Sequence, residues 1–227
     1  FTAEDEQFHL MKRVAKSRNT DIYKIRPVDV TDEEMEKFSY IEHKDNVQLA
    51  LAVCQRAGIS REVALKGMQS SNPDPGALKK YSHQTKDKKY TFYNVFAAND
   101  PSSTEFIYNM VTKNLHGNIT KILILNNRAD RFFRSQQLVD ICHNIQYDYL
   151  ILTGEICDKV FNYAMQQGLP QGKVLEIGQI PMDDLYKKIS NLVNQEGHVI
   201  GIGNIADKAK YGASIVKHFK NKSNGKN

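Results

Sequence analysis

Between residues 91 and 220 short apolar runs alternate with helical periodicity, and few folds accept that rhythm. The runs 91–97 (TFYNVFA), 121–126 (KILILN), 147–153 (YDYLILT), 173–177 (KVLEI) and 198–203 (HVIGIG) are rich in β-branched or other apolar residues. Segments with helical spacing fall between and after them, at 102–114, 131–145, 156–167, 181–194 and 207–220. This order predicts a doubly wound, mostly parallel α/β domain of Rossmann-like form, with helices on both faces of the sheet. The near-continuous apolar run at 148–152 suits a central strand buried on both sides.

The first part of the chain reads differently. Phe8, Met11, Val14 and Ala15 put one apolar face on a helix over 3–17, and 21–26 has the character of a short strand. Thr31 with Glu34 forms a capping box. An Ala/Leu-rich helix over 45–57 ends at Gly58, and Ser60 caps another through about residue 68. With so little strand, residues 1–73 are expected to be the helical tail end of a larger domain. The turn formers SSNPDPGA at 70–77 mark the boundary. Residues 74–90 are expected to be a linker, 91–220 the α/β domain and 221–227 a basic tail. The chain starts at Phe1 and not at Met, as a fragment or processed product does.

The net charge is +5. Lys217, Lys220, Lys222 and Lys226 sit where no apolar face follows Phe219, which reads as a frayed tail and not a nucleic-acid arm. The cluster Lys79, Lys80, Lys86, Lys88 and Lys89 reads as solvated linker, with attraction of an anionic substrate as the alternative. Cys54, Cys142 and Cys157 are scattered and odd in number, the pattern of buried reduced thiols. No apolar run is long enough for a membrane span, and there is no signal peptide.

In a parallel sheet ligands bind at the carboxyl ends of the strands. Here those ends carry Asn99, Asp100, Pro101, Ser102 and Ser103, then Asn126, Asn127, Arg128, Asp130 and Arg131, then Gly154 and Glu155, and last Gly201, Gly203 and Asn204. Each group has a plain structural alternative. Ser102 with Glu105 is a capping box, Arg131 and Arg134 beside Asp130 form a surface ion cluster, and Gly154 permits a turn. Their coincidence on one edge favours a binding site.

Two motif resemblances fail. Gly201, Gly203 and Ala206 match G-x-G-x-x-A, but after the last strand and with no acidic residue about 20 positions on, so a nicotinamide cofactor is not expected. GLPQGKV at 168–174 lacks one residue between its glycines, and Val174 stands where a phosphate loop needs Ser or Thr. The histidines show no metal-ligand spacing.

The strings AANDPSST (97–104), NNRADRFFRSQQ (126–137) and GIGNIA (201–206) are similar to segments of poly-γ-glutamate capsule synthetases, bacterial relatives of the Mur ligases. HKDNVQLALAV (43–53) and NPDPGAL (72–78) resemble that family in the same order. The resemblance implies an ATP-dependent amide ligase that polymerises glutamate through γ-amide bonds by way of an acyl phosphate, with ATP and Mg²⁺ held mainly upstream of Phe1. Catalytic residues are expected there and not in this chain, which by itself is expected to be inactive. It implies nucleotide contacts at Asn46, whose structural alternative is a helix N-cap, and at Asp130. Substrate or phosphate contacts are implied at Asn99, Asp100, Ser102, Ser103, Asn126, Arg128, Arg131, Arg134, Gly203 and Asn204. Guanidinium suits both carboxylate and phosphate. Expected partners are glutamate, the poly-γ-glutamate chain and membrane subunits of a capsule-synthesis complex at the cytoplasmic side of the inner membrane, with no nucleic acid. The alternative function is a non-catalytic assembly module of such a complex.

Overall fold

The computed structural model describes every residue except 27–29, 39–41, 72–77, 97, 99, 114, 116 and 226–227. The chain divides into two compact units, Phe1–Asp74 and Pro75–Asn227. The turn-rich residues 72–77 lie outside the described residues.

The first unit is helical: α1 (Phe8–Ser17), α2 (Asp32–Glu36), α3 (Lys44–Arg56) and α4 (Arg61–Ser70). The Thr31–Glu34 capping box forms, and Ser60 accepts from Val63 N at the start of α4. Glu34 also takes both NH2 contacts of Arg61, at 3.0 and 2.8 Å, which ties α2 to α4. Val30, Phe38, Val47, Leu51, Ala64 and Leu65 form a small core. The strand expected at 21–26 reduces to a single bridge between Thr2 and Lys24, because no longer strand of this unit lies beside it among the described residues. On α1 only Ala15 is buried, while Leu10, Met11 and Val14 remain exposed.

The second unit is the expected α/β domain, built on a six-stranded sheet. Its elements in order are β1 (Lys79–Gln84), β2 (Lys89–Asn94), α5 (Pro101–Thr112), β3 (Ile119–Asn127), α6 (Phe132–Asp140), β4 (Tyr149–Gly154), α7 (Cys157–Gln166), β5 (Val174–Gly178), α8 (Met182–Leu192), β6 (Glu196–Gly203) and α9 (Tyr211–Ser223). The strand order is β1-β2-β6-β3-β4-β5, with only β1 antiparallel. Side chains alternate across the sheet as a period of two requires. Leu123, Leu125, Leu150, Leu152, Ile200 and Ile202 pack with residues of α5, α6 and α7, whereas Ile122, Ile124, Ile151 and Val199 pack with α8 and α9. Phe219 of α9 stacks on Phe92 of β2 at 4.4 Å between ring centroids. Cys142 and Cys157 are buried and Cys54 half-buried, all three as free thiols. Burial pushes the pKa of Cys142 up to about 12 and of Cys157 to about 11, which keeps both thiols protonated.

The lysine-rich segment is not a solvated linker. Residues 79–84 pair with β2 as an edge strand, from Lys79↔Asn94 to Gln84↔Lys89. Lys88 Nζ donates to the Ser190 and Val193 carbonyls, both at 2.7 Å, at the C-terminal end of α8, and Lys89 pairs with Glu196 at 2.9 Å. The strand escapes sequence reading because an edge needs only one sided packing, and lysines on it discourage pairing with other chains. The tail expected from 221 is likewise helical as far as Ser223, while Lys226 lies outside the described residues.

Three imidazoles are packed into this unit, His198 buried and His83 and His218 partly so. Burial lowers the pKa of His83, His198 and His218 from the ordinary 6.5, with the Lys222 charge adding to the effect at His83 and His218. At His198 the neighbouring Glu196 carboxylate, 3.3 Å away, opposes burial without cancelling it. A depressed folded pKa means the unfolded chain binds protons more readily. The stabilising contribution is therefore complete above pH 6.5 and is lost as pH falls through the lowered folded values. Melting temperature is expected to fall steadily across that window; a flat profile would show that the imidazoles charge freely in the fold.

Candidate functional site

Because β2, β6, β3 and β4 are parallel, their carboxyl ends meet on one edge. The register places Thr153, Asn126 and Gly203 side by side on β4, β3 and β6. Asn126 is fully buried and joins all three strands' loops. Its Nδ2 donates to the Asn204 carbonyl at 2.6 Å and to Asp207 Oδ2 at 2.9 Å, while its Oδ1 accepts from Thr153 Oγ1 at 3.2 Å. The Asn126 carbonyl accepts from Asn204 N at 3.0 Å and Asn204 Nδ2 at 3.2 Å. Gly203 sits at φ +92, and a Cβ there would lie 2.7 Å from that same carbonyl.

Asp207 carries the arrangement into α9. Its two oxygens accept from Tyr211 N at 2.8 Å and Gly212 N at 2.9 Å, which places a carboxylate on the positive end of the helix. Helical spacing from 207 onward masks this cap; an Asp just ahead of the apolar helical positions is its signal in the sequence.

The loop after β3 is held from both sides. Arg128 Nε and NH2 reach the two oxygens of Asp130 at 3.0 and 2.8 Å, and its NH1 donates to the Ala206 carbonyl at 2.8 Å. The hydrogen bonds from Arg128 hold Asp130 below its ordinary carboxylate pKa. From the β4 side, Glu155 Oε2 accepts from Ala129 N at 2.8 Å, and Glu155 N donates to the Asn127 carbonyl at 3.1 Å. The β4–α7 turn pays a local conformational cost: Ile156 is a β-branched residue at φ 51.

Of the other two arginines on this edge, Arg131 keeps more of its surface in solvent, and Arg134 is half-buried. Arg131 is half exposed, with its Nε 3.8 Å from Asp130, and Arg134 NH1 reaches Asn204 Oδ1 at 3.3 Å. At the β2 end, Asp100 is the N-cap of α5, accepting from Ser103 N at 2.9 Å, with Pro101 in the first turn. The capping box expected at Ser102 and Glu105 therefore does not form: the helix begins earlier, and Ser102 and Ser103 lie exposed in its first turn. Asn99 lies outside the described residues.

Thus the fold brings Asn126, Arg128, Asp130, Arg134, Gly203 and Asn204 together with Asp207, Glu155 and Thr153. Asp100, Ser102 and Ser103 lie on the same sheet edge at the end of β2. Asn46 belongs to the first unit, where its Nδ2 donates to Glu42 Oε1 at 2.8 Å. It is not the N-cap of α3; His43 is, accepting from Asp45 N at 3.2 Å. Among the described residues no three metal-ligating side chains converge, and no helix is long and apolar enough to cross a membrane.

Comparison with known proteins gives one family. Residues 80–222 match the model described as the poly-gamma-glutamate synthase CapB C-terminal domain. The chain is 35% identical over 208 residues to PGA synthase CapB of Bacillus subtilis (strain 168), covering 91% of this chain and 53% of that protein. It is 31% identical over 210 residues to the capsule biosynthesis protein CapB of Bacillus anthracis, covering 92% of this chain and 45% of that one. The chain thus spans about half the length of the curated relatives it matches. Among solved structures, MurF from Acinetobacter baumannii matches with a TM-score of 0.56 at 16% identity, over 80% of this chain and 38% of that one. A murein peptide ligase from Psychrobacter arcticus 273-4 matches with a TM-score of 0.54 at 13% identity, over 81% and 38%. These likenesses bear on the fold.

Proposed function

Since the chain belongs to the family of the poly-gamma-glutamate synthase CapB C-terminal domain, we propose that it forms part of an ATP-dependent ligase joining glutamate units through γ-amide bonds. The observation that carries this reading is the sheet edge itself, where three strand ends are locked through Asn126 and exposed arginine stands at the rim.

In the proposed reaction the γ-phosphoryl group of ATP passes to a side-chain carboxylate, giving an acyl phosphate and ADP. The amine of a second glutamate then attacks the acyl carbon. A C–N bond forms, the C–O bond to phosphate breaks, and the amine loses a proton. No side chain acts as nucleophile, so this chain contributes by positioning and by neutralising charge.

Arg131 and Arg134 suit the carboxylate or phosphate oxygens, and Ser102 and Ser103 offer hydroxyls beside the positive end of α5. Asn126, Arg128, Gly203 and Asn204 act one step back, because their polar groups or close contacts are committed to the protein. Asp130 holds Arg128 and so fixes the loop on which Arg131 stands. Asn46 in the first unit would serve the nucleotide. Mg²⁺ chemistry and the phosphate loop are assigned to sequence outside this chain.

The test is glutamate-dependent ADP release, measured on this chain and on the longer protein of which such a domain is part. Release is expected from the longer protein only. In that protein Arg131→Ala is expected to lower kcat/KM for glutamate about tenfold with an unchanged melting temperature. Turnover by the 227-residue chain alone, or an Arg131 variant as active as its parent, would sink this assignment.

A further inference from the structure

Two basic segments that are far apart in sequence are neighbours in the fold. The edge strand β1 packs against α9. His83 on β1 lies 6.3 Å from Phe219 between ring centroids, and its Nε2 is 2.8 Å from the hydroxyl of Tyr186 on α8. Lys222 of α9 lies over the same Tyr186 ring at 5.1 Å. The helix therefore closes down on the hairpin, on the side of β1 that carries Tyr81 and His83.

That face is predominantly basic. The α9 sequence YGASIVKHFKNKS and the β1 sequence KKYSHQ contain no acidic residue. Lys86, Lys217 and Lys220 are exposed, and among the described residues none of them takes an ion pair. The acidic residues that border it are Asp87 in the hairpin turn, Asp207, which is committed to the first N–H groups of α9, Asp183, whose charge acts on His218, and Asp184, which faces Lys187 at 3.4 Å. Clustered like charges of this kind raise the fold's self-repulsion unless a counter-charge covers them.

We propose that the α9–β1 face binds an extended polyanion, which on the reading of function above is the γ-linked glutamate chain itself. Each γ-linked unit leaves one free carboxylate, so the polymer presents a row of negative charge to a row of ammonium groups. The direction of α9 supports a track. The helix starts at the carboxyl edge of the sheet, just after β6, and runs antiparallel to the strands for about 20 Å at 1.5 Å per residue. It leads away from the candidate site toward the β1–β2 turn that carries Lys86.

An acidic lipid surface offers the same charge, but the face lacks the apolar side chains that such binding buries. Tyr211, Ile215 and Phe219 of α9 point into the core, and the large exposed apolar residues of this unit, Phe106, Met110 and Phe133, lie on α5 and α6 across the sheet. A soluble polyanion is the occupant this chemistry fits.

The experiment is fluorescence anisotropy of a labelled γ-linked glutamate oligomer titrated with the 227-residue chain. Binding is expected to weaken steeply as salt rises through about 0.15 M. Lys86→Gln, Lys217→Gln and Lys220→Gln combined are expected to weaken it at least about tenfold with an unchanged melt, whereas Lys159→Gln on α7, across the sheet, leaves it nearly intact. Binding undiminished by the three lysine changes, or lost as much through Lys159→Gln, overturns the proposal. So does capture of the chain by phosphatidylserine-containing vesicles without binding of the oligomer. Oligomer binding needs no turnover, so it can fail while the longer protein still releases ADP with glutamate. If ligation fails and lysine-dependent binding persists, the polyanion face stands and the ligase assignment falls.

Discussion

Gly154→Ala is expected to cost the Pro75–Asn227 unit about 3 kcal/mol or more of unfolding free energy. Gly154 ends β4 at φ +85, a left-handed conformation that carries a penalty for any residue with a Cβ. Conformation is the smaller part of the cost. A Cβ at this position would lie 2.4 Å from the Asn127 carbonyl oxygen and 2.7 Å from Asn126 Oδ1. Those are a strand backbone and a fully buried amide, and neither can swing aside as the end of a flexible side chain can. The β3–β4 ladder must open at its last rung, Asn127↔Gly154, and the Glu155 contact to Ala129 must open with it. Urea unfolding of the variant measures the loss. A change below about 0.5 kcal/mol, the range of an ordinary surface substitution, would mean that the β4 turn relaxes freely and does not hold the site.

Asn126→Asp is the second large effect, expected at about 3 kcal/mol near neutral pH. The substitution keeps the shape of the side chain and removes its donors. Where Nδ2 now gives hydrogen bonds to Asp207 Oδ2 and the Asn204 carbonyl, a second carboxylate would face oxygen on both sides. Two carboxylates at that spacing cannot both ionise cheaply, so one folded-state pKa rises above its unfolded value. The sign follows. The penalty is full above the raised pKa and is relieved as pH falls through it, so the gap between variant and parent should narrow on acidification. A gap that does not change with pH would show that the cost comes from packing and not from charge. In the longer protein the same variant should lose ligation together with stability, because the loop that carries Arg131 and the start of α6 that carries Arg134 follow directly on Asn126.

The arginines show how far a sequence can be read at this site. All three guanidiniums were equal candidates, since each stands near Asp130 in one short segment. Tertiary contacts separate them. Arg128 is turned back onto Asp130 and the Ala206 carbonyl, which comes from a loop 78 residues further along the chain. Arg131 keeps half of its surface in solvent. Nothing in local spacing distinguishes a clamp from a half-exposed cation; only the meeting of the β3 and β6 loops does. Likewise the polar character of Asn126 was legible, but its complete burial was not, because that depends on β3 lying between β4 and β6.

The alternation of apolar strands and amphipathic helices determined the α/β class by itself, because a parallel strand buried on both faces must be apolar throughout and needs a covering helix in each crossover. Local chemistry also settled the Thr31–Glu34 box and the Ser60 cap, since both form between residues three positions apart. The tertiary structure decided what depends on distant partners. It made an edge strand of a polar, lysine-rich segment by pairing it with β2, and it moved the start of α9 to suit the Asp207 cap. It also brought the basic helix α9 beside that strand. Hydrogen bonds and charge act over a few ångströms of space, and separation along the chain does not enter.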